Sequence, residues 1–358
     1  MTTLYRCSSL WLLFLAMACS SWAALPGSLH ANDGLPTFTD PHDAGPDFLI
    51  QGEYVGKVGG ELDIAAQVIA GGDGKFEGVL YGGGLPGAGW DGITRFHFQG
   101  QRDGEVVRFD GRMGERLSLP NPNFHGTIED GVLRGTALMF RHSVDEASFE
   151  MAQVHRRSLT EGAKPPPGAI VLFDGTNVDE WVDGSIVEDD LLDVGTTSRR
   201  EFLGLRLHLE FRTPFMPTAQ GMARGNSGVY IKREWEIQVL DSFGWNSENR
   251  KFERLSGFAR CGGIHELIKP RVNMSFPPLS WQTYDVEYVA AHFDDQGNRT
   301  HPAMMTVRHN GVLIHDKFVL PTTPSGQGPS KEHLPGPIYL QDHGNPVHYR
   351  NIWLTELD

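Results

Sequence analysis

Polar and apolar side chains alternate over residues 225–244, GNSGVYIKREWEIQVLDSFG, and the polar ones are of types that do chemistry. The alternation predicts two β-strands joined by a bend at Lys232–Glu234, because every second residue of a strand shares a face. Glu236 and Gln238 share the face opposite the apolar positions of the second strand. The first strand adds Asn226, Tyr230 and Lys232 to that polar face. A carboxylate, amides, an amine and a phenol on one sheet face are what a sugar-binding cleft needs.

Asp241 follows the second strand and joins this set only if the strand is irregular. In a regular strand Asp241 falls on the apolar face with Ile237. A single β-bulge near Leu240 would bring Asp241 beside Glu236, and bulges are common next to active sites. The alternative interpretation of the whole stretch is an ordinary half-solvated face of an antiparallel sheet.

Two other predicted strands carry the same kind of polar face, which favours a site over that alternative. Residues 203–212, LGLRLHLEFR, alternate apolar and polar side chains, and so do residues 337–343, PIYLQDH. Their polar sets are His208, Glu210 and Arg212 on the first strand, and Tyr339, Gln341 and His343 on the second. The hypothesis is that these strands share the concave face of one sheet and that their polar side chains converge on one cleft.

The strands that must position these groups lie in the second half of a chain of 358 residues, which is long enough for two domains. Residues 169–358 show strands and turns without a convincing helix, which indicates an antiparallel β-sandwich. Residues 48–158 predict a small accessory β domain, because three Asp-Gly pairs lie between alternating segments. Residues 24–47 are expected to form a flexible arm, and residues 159–168 a Pro-rich linker of extended, semi-rigid character.

Composition and the N-terminus bear on class and compartment. The 43 glycines suit a turn-rich β protein, and a formal net charge of −14 without a basic stripe argues against nucleic acid as a partner. Residues 1–23 predict a signal peptide, with Arg6 before a short apolar run and cleavage after Ala23. The alternative is a lipoprotein signal in which Cys19 carries the lipid, which would be the protein's contact with a membrane. Both interpretations predict export to the periplasm or the outside.

Several stretches of the second half together resemble the 3-keto-disaccharide hydrolase family in its planctomycete form, formerly a domain of unknown function. The resemblance covers about residues 169–358 and rests on IVLFDGTNVDEW, LHLEFR, GNSGVYIKREWEIQVLDSFG, GGIHELIKP, WQTYDVEY and GPIYLQDHGNPVHYRNIWL. It implies a concanavalin-type jelly roll, which is a two-sheet β-sandwich, and cleavage of glycosidic bonds in sugars oxidised at C3. His265, in GGIHE, stands where the family usually has Tyr.

A second likeness is to the laminarinase-type glycosidases, which share the sandwich. Glu236-x-Gln238-x-x-Asp241 is laid out like their Glu-x-Asp-x-x-Glu strand, whose outer carboxylates are nucleophile and acid/base. In this sequence the central residue is Gln and the last is Asp, a departure that puts the retaining double displacement in question.

A 3-keto sugar offers a different route, because the ketone acidifies the proton on C2. A base can remove that proton and the C1 group can leave by elimination, after which water adds. This route needs a base, an electrophile for the enolate oxygen and an acid for the leaving oxygen. The predicted acid/base residues are Glu236 and Asp241, assisted by Glu210 or His343. The predicted substrate-binding residues are Arg212, Asn226, Tyr230, Lys232, Gln238, His265, Tyr339 and Gln341, with Lys232, Arg212 or a metal holding the enolate.

The sequence does not require a cofactor, but a divalent metal stays open. The ligand types are present in His208, Glu210, Glu236, Asp241, His265 and His343, without tight ligand spacing. Two alternatives to an enzyme also stay open, because the same sandwich hosts many binding proteins. A lectin-like module predicts a shallow face with exposed aromatic side chains, whereas a cell-surface interaction protein is favoured if Cys19 is lipidated. An enzyme predicts a deep cleft with a perturbed carboxylate.

Overall fold

The computed structural model of the chain describes residues 34–112, 124–137, 147–244, 257–322 and 331–357. In these residues β-strands dominate, beside one short α-helix, α1 at Gly45–Ile50, and two 3-10 turns at Gly221–Ala223 and Gly257–Ala259. The predicted all-β class is therefore confirmed. No helix of the described residues is long and apolar enough to cross a membrane. The predicted signal peptide, Cys19 and residues 24–33 of the predicted arm lie outside the described residues.

Among the described residues, eight antiparallel strands form a closed barrel in which each strand pairs with the next and the last pairs with the first. The strands are β1 Gly52–Val58, β2 Leu62–Gly72, β3 Lys75–Gly82, β4 Arg95–Asp103, β5 Val106–Arg112, β6 Phe124–Glu129, β7 Val132–Ala137 and β8 Ala147–Val154. Asp73-Gly74 and Asp130-Gly131 adopt positive φ at both residues. Two-residue hairpin turns of type I′ require this conformation, which explains why Asp-Gly predicted the hairpins.

The remaining strands build a two-sheet sandwich, the predicted concanavalin-type jelly-roll class. In the described part of the chain, five strands form sheet A in the order β10-β13-β22-β15-β16. They are β10 Trp181–Val182, β13 Thr196–Phe202, β15 Ser227–Ile231, β16 Trp235–Val239 and β22 Gly336–Leu340.

Among the same described residues, eight strands form sheet B in the order β11-β12-β23-β14-β17-β20-β21, with β9 also paired to β23. They are β9 Ile170–Phe173, β11 Ile186–Val187, β12 Leu191–Leu192, β14 Gly204–Arg212, β17 Gln282–Val289, β20 Met304–His309, β21 Val312–Val319 and β23 His348–Leu357. The short strands β18 His292–Phe293 and β19 Arg299–His301 pair with each other.

The apolar faces of the two sheets pack against each other, which decides where polar side chains can go. Val229 and Ile237 of sheet A and Leu207 and Val286 of sheet B belong to one buried cluster. Side chains at the alternate positions therefore point outward, away from the partner sheet. The outer faces of sheets A and B look in opposite directions, so a polar set on one cannot share a cleft with a polar set on the other.

The barrel has a core of its own and packs against the sandwich within one compact unit. Phe215 of the sandwich side pairs with Phe38 through two backbone hydrogen bonds and belongs to the barrel's apolar cluster. Arg156 holds the buried Glu53 of β1 at 2.5 and 2.6 Å, and its guanidinium lies 5.0 Å from the ring of Phe276. The division of the chain into the predicted domains stays a prediction.

Candidate active site

The hairpin of β15 and β16 is the structural basis of the site. Tyr230 pairs directly with Glu236, and Gly228 with Gln238. The bend falls where the sequence predicts it: Glu234 N donates to Ile231 O at 3.1 Å, and Lys232 and Arg233 between them both have φ of 56°. This is a type I′ turn built without glycine. The outer face of the hairpin thus presents Tyr230 and Glu236 side by side.

A cleft of about 400 Å³ opens on this outer face of sheet A. Its wall on the far side of β16 is the loop at residues 262–268, which pairs with the edge of the strand. Gln238 N donates to Gly263 O at 2.9 Å and His265 N donates to Glu236 O at 3.0 Å, so the backbone fixes the His265 position. The cleft is lined by Met222, Asn226, Tyr230, Glu234, Trp235, Glu236, Gln238, Ile264, His265, Glu266, Leu267, Gln341 and His343.

Glu236 is the buried carboxylate of the cleft, with 8% of its surface exposed. The Tyr230 hydroxyl donates to Glu236 Oε2 at 2.7 Å, and His265 Nδ1 lies 3.7 Å from the same oxygen. Gly228 leaves room for the carboxylate, because a Cβ there would lie 2.5 Å from Glu236 Oε1. Burial raises the pKa of Glu236, although the Tyr230 hydrogen bond and the nearby His265 and His343 act to lower it.

A chain of hydrogen bonds leads from β22 to this carboxylate. Gln341 N donates to Gly228 O at 2.9 Å, which places Gln341 beside the hairpin. Gln341 Nε2 then donates to the Tyr230 hydroxyl at 3.3 Å, and that hydroxyl donates to Glu236. Burial raises the pKa of Tyr230, so the phenol stays protonated and remains a donor. The exposed His343 follows on the same side of the cleft.

The structure brings seven of the predicted residues together in the cleft: Glu236, His343, Asn226, Tyr230, Gln238, His265 and Gln341. Tyr339 is not among the lining residues but pairs with Tyr230 on the neighbouring strand β22, with its ring 5.4 Å from that of Tyr230. Lys232 is not brought to the cleft, because its positive φ takes it out of the strand alternation. Its Nζ instead donates to Lys331 O and Glu332 O at 3.2 Å, and lies 5.6 Å from the Tyr288 ring.

Asp241 is not brought to the cleft either. The pairing of β15 and β16 runs without a bulge to Val239, so nothing turns Asp241 toward Glu236. Its carboxylate is bound by Arg224, whose Nε lies 2.5 Å from Oδ2. Arg224 also reaches Ala70 O of the barrel at 3.4 Å. Asp241 therefore belongs to the contact between sandwich and barrel.

Glu210 and Arg212 lie on the outer face of sheet B, so the three polar sets do not converge on one cleft. Residues 158–163, which we term the covering segment, lie across this face. Glu210 Oε1 accepts from Gly162 N at 2.5 Å and from Asn351 Nδ2 at 2.9 Å, and Oε2 accepts from Arg350 Nε at 2.8 Å. Arg212 forms an ion pair with Glu188.

His208 completes this second polar cluster. Its Nδ1 lies 2.7 Å from Asp285 Oδ1, and its ring stacks on that of Trp353 at 5.0 Å. Burial acts to raise the pKa of Glu210, but the hydrogen bonds from His208, Asn351, Gly162 and Arg350 outweigh it and lower the pKa to about 2. Burial acts to lower the pKa of His208, and the carboxylates of Asp285 and Glu210 reverse this and raise it.

Metal binding was left open by the sequence. Within the described residues, no group of three or more His, Cys, Asp or Glu side chains is arranged to hold a metal ion.

Six residues of the cleft were not predicted, namely Met222, Glu234, Trp235, Ile264, Glu266 and Leu267. Three of them, Ile264, Glu266 and Leu267, lie beside His265 in the stretch GGIHELIKP. Their position next to a predicted residue could therefore have indicated them. Glu234 sits in the bend of the hairpin, and Trp235 starts a strand on its apolar face. Met222 comes from a 3-10 turn in a loop, where no periodicity indicates which way a side chain points.

The described strands define a β-sandwich with a cleft on the outer face of sheet A. A model of the family described as 3-keto-alpha-glucoside-1,2-lyase-like domain matches residues 168–355, and the chain belongs to this family. Its family membership supports a carbohydrate substrate. No match was found among curated proteins.

Two solved structures, both of candidate glycosyl hydrolases from Parabacteroides distasonis ATCC 8503, are similar to this chain. The first is 29% identical, with 54% of this chain and 85% of that chain covered and a TM-score of 0.46. The second is 17% identical, with 53% of this chain and 95% of that chain covered and a TM-score of 0.37.

Proposed function

We propose that this chain is an enzyme that cleaves the glycosidic bond of 3-keto-glucosides in the cleft of sheet A, by elimination between C1 and C2. The observation that carries the proposal is the buried Glu236 carboxylate, whose pKa is raised by burial while Tyr230 holds it in place. A carboxylate with a raised pKa is a stronger base for a carbon acid than an ordinary one. Membership of the 3-keto-alpha-glucoside-1,2-lyase-like family supports the same reaction.

Glu236 takes the proton from C2, and the electrons of that C–H bond form an enolate with the 3-keto oxygen. The enolate returns to the ketone as the C1–O bond breaks, which leaves a double bond between C1 and C2. The departing oxygen takes a proton and becomes the hydroxyl of the released alcohol or sugar. Addition of water then gives C2 a hydrogen and C1 a hydroxyl, so that the overall result is hydrolysis.

His265 and His343 both line the cleft, and an imidazole N–H of each can donate to oxygen. In our proposal one imidazole faces the enolate oxygen and the other the leaving oxygen, because these are the two places where negative charge develops. The elimination needs one carboxylate only. This agrees with the position of Asp241, the second carboxylate of a laminarinase-type pair, which is bound to Arg224.

The test is turnover of 3-keto-trehalose and 3-keto-lactose in deuterated water, with and without EDTA. We expect release of free sugar, with deuterium from the solvent at C2 of the product, and loss of both signals in Glu236→Gln. Glu287→Gln is the matched control, since Glu287 forms an ion pair with Arg206 on sheet B. Release without deuterium at C2 would contradict elimination. No release, together with binding of the unoxidised sugars, would identify a lectin-like module.

We also propose export, on the basis of the predicted signal at residues 1–23. Cell fractionation with N-terminal sequencing of the mature protein tests this proposal. Cleavage after Ala23 indicates a free exported protein, whereas an N-terminal lipid on Cys19 indicates a lipoprotein. A full-length chain in the cytoplasm would contradict both.

A further inference from the structure

The side-chain amide of Gln238 has its orientation fixed by its neighbours. Gln238 is fully buried, and its Nε2 donates to Ser227 O at 2.9 Å and to Val239 O at 3.0 Å. Backbone carbonyls only accept hydrogen bonds, so the nitrogen of the amide must face them. The oxygen, Gln238 Oε1, is therefore turned away from both carbonyls.

The residue next to Gln238 reinforces this orientation. Asn226 Oδ1 accepts from Gln238 Nε2 at 2.8 Å, while Asn226 Nδ2 donates to Met222 O at 2.8 Å. Asn226 N in turn donates to Asn345 Oδ1 at 2.7 Å. Both amides thus donate to backbone carbonyls. A flip of either amide would place its oxygen against a carbonyl oxygen and would leave two acceptors or two donors facing each other. Such a network is organised before a ligand arrives.

Gln238 Oε1 is a buried acceptor without a hydrogen-bond partner among the described residues. Leaving a buried acceptor unpaired costs free energy, whereas a donor that reaches it recovers that cost. Gln238 lines the cleft, opposite Gly228 and one alternate position along the strand from Glu236. A sugar hydroxyl is the donor that a neutral carbohydrate brings to such a place.

We propose that Gln238 is a specificity-determining residue, whose Oε1 accepts a hydrogen bond from one hydroxyl of the substrate's sugar. That the substrate is a 3-keto sugar rests on the proposed function, whereas the hydrogen bond between a sugar hydroxyl and Gln238 does not. The substrate class is then a neutral sugar with a free hydroxyl at the position that contacts Gln238. A group that cannot donate, such as hydrogen or fluorine, leaves the acceptor buried and unpaired.

The experiment compares substrates within each protein, which separates recognition from stability. The parent 3-keto-glucoside and its series of single-hydroxyl deoxy analogues are assayed with the wild type and with Gln238→Met, which has an unbranched side chain of similar length. Each deoxy-fluoro analogue is included, because fluorine fills the space of the hydroxyl without donating. The readout is the ratio of kcat/KM between the parent and each analogue.

In the wild type we expect one position at which the deoxy and deoxy-fluoro analogues both lose on the order of 100-fold in kcat/KM. In Gln238→Met we expect this ratio to fall to within about 3-fold, because the acceptor is gone for parent and analogue alike. A purely structural role of Gln238 would lower all rates together and leave the ratio unchanged, which would overturn the proposal.

Gln282→Met is the matched control variant. Gln282 is also fully buried in the sandwich, and its Oε1 accepts from Phe276 N at 3.0 Å, away from the cleft. We expect a lower melting temperature and an unchanged ratio. A control that altered the ratio as much as Gln238→Met would overturn the proposal.

Failure of this inference and failure of the proposed function give different results. If no 3-keto sugar is turned over, the same ratios are measured as Kd values for the unoxidised glucoside and its deoxy series by calorimetry. A ratio that depends on Gln238 then supports the inference without the enzyme activity. Turnover with no position that depends on Gln238 overturns the inference alone, and the absence of both turnover and binding overturns both.

Discussion

The outer faces of sheets A and B each carry a buried carboxylate, a histidine and a side-chain amide, yet they are built for different tasks. On sheet B both oxygens of Glu210 accept hydrogen bonds, and the covering segment lies over them. On sheet A Glu236 lies in an open cleft, beside buried polar atoms of Gln238, His265 and Gln341 that make no hydrogen bond within the described residues. The first face is complete by itself, whereas the second offers bonds to a ligand.

Glu210 and Glu236 also differ in their proton affinity, in agreement with this difference between the two faces. The pKa of Glu210 is lowered to about 2, since several donors favour its ionised form. The pKa of Glu236 is raised by burial, which the donors around it do not offset. A carboxylate that stays ionised at every ordinary pH holds a structure together, and one with a raised pKa is suited to exchange a proton. Polar composition alone does not separate these roles; the number of donors around each carboxylate does.

The largest expected effect is on activity, and it differs between the two faces. Glu236→Gln removes the base of the proposed reaction and should lower kcat by roughly 10³-fold. Glu210→Gln should leave kcat within about 3-fold when assayed at a temperature where the variant is folded. Steady-state turnover of a 3-keto-glucoside by both variants checks this. A large loss of kcat in folded Glu210→Gln would show that the two faces do not act separately.

The alternation of residues 203–212, 225–244 and 337–343 predicted which side chains share a face, because a strand has a period of two. It placed Tyr230, Glu236 and Gln238 correctly on one face. Alternation carries no information on which sheet a strand joins, so it assigned Glu210 to the same cleft as Glu236. The assignment depends on long-range pairing, such as that of β14 with β17 and β23.

The sequence also could not show which polar side chains another segment of the chain covers. Residues 159–168 look like a linker because of their prolines, and nothing in their composition indicates that Gly162 N reaches Glu210. Lys232 shows a third limit, because a residue in a tight bend can adopt a positive φ, and its side chain then no longer follows the alternation of the strand. Periodicity and turn residues were sufficient to predict the all-β class and the sandwich, whereas the jelly-roll type was implied by the resemblance to the family.

The next effect in size is on stability, and it follows from Glu210. Its pKa is about 2 in the folded protein against an ordinary 4.5, a gap that corresponds to roughly 3 kcal/mol. Because the folded pKa is depressed, this stability is present above pH 4.5 and is lost as the pH falls toward 2. Glu210→Gln should therefore cost roughly 3 kcal/mol at pH 6, and much less near pH 2.5, in urea unfolding.

His208 adds the opposite pH dependence to the same cluster. Its pKa is raised above the ordinary 6.5, so its contribution to stability is present below pH 6.5 and is lost as the pH rises through the folded value. Activity should instead rise with pH as Glu236 ionises. Because burial raises the pKa of Glu236, this rise should come at a higher pH than for an ordinary carboxylate. A cost of Glu210→Gln that stayed constant from pH 6 to pH 2.5 would contradict the role of its charge.

A smaller effect on activity is expected from Gly228→Ala. The added Cβ would lie 2.5 Å from Glu236 Oε1, so the carboxylate must move while the backbone can stay. We expect roughly a 10- to 30-fold loss of kcat, because general bases depend on their position. In the background of Glu236→Gln the same substitution should have little further effect on kcat. Additive losses would indicate that Gly228 acts on the cleft by another route.

The smallest effect tests the covering segment itself. Ser158 Oγ lies 2.6 Å from Thr283 Oγ1 of β17, in a buried contact. Ser158→Ala leaves Thr283 with a second contact from Thr160 Oγ1 at 2.8 Å, so we expect a loss of about 1 kcal/mol in unfolding and no change in kcat. The control is Ser148→Ala on the exposed face of β8, which should change stability by less than about 0.5 kcal/mol. Equal effects of the two substitutions would mean that the covering segment adds no stability at Ser158, and the contrast between a covered face and an open one would then rest on Glu210 alone.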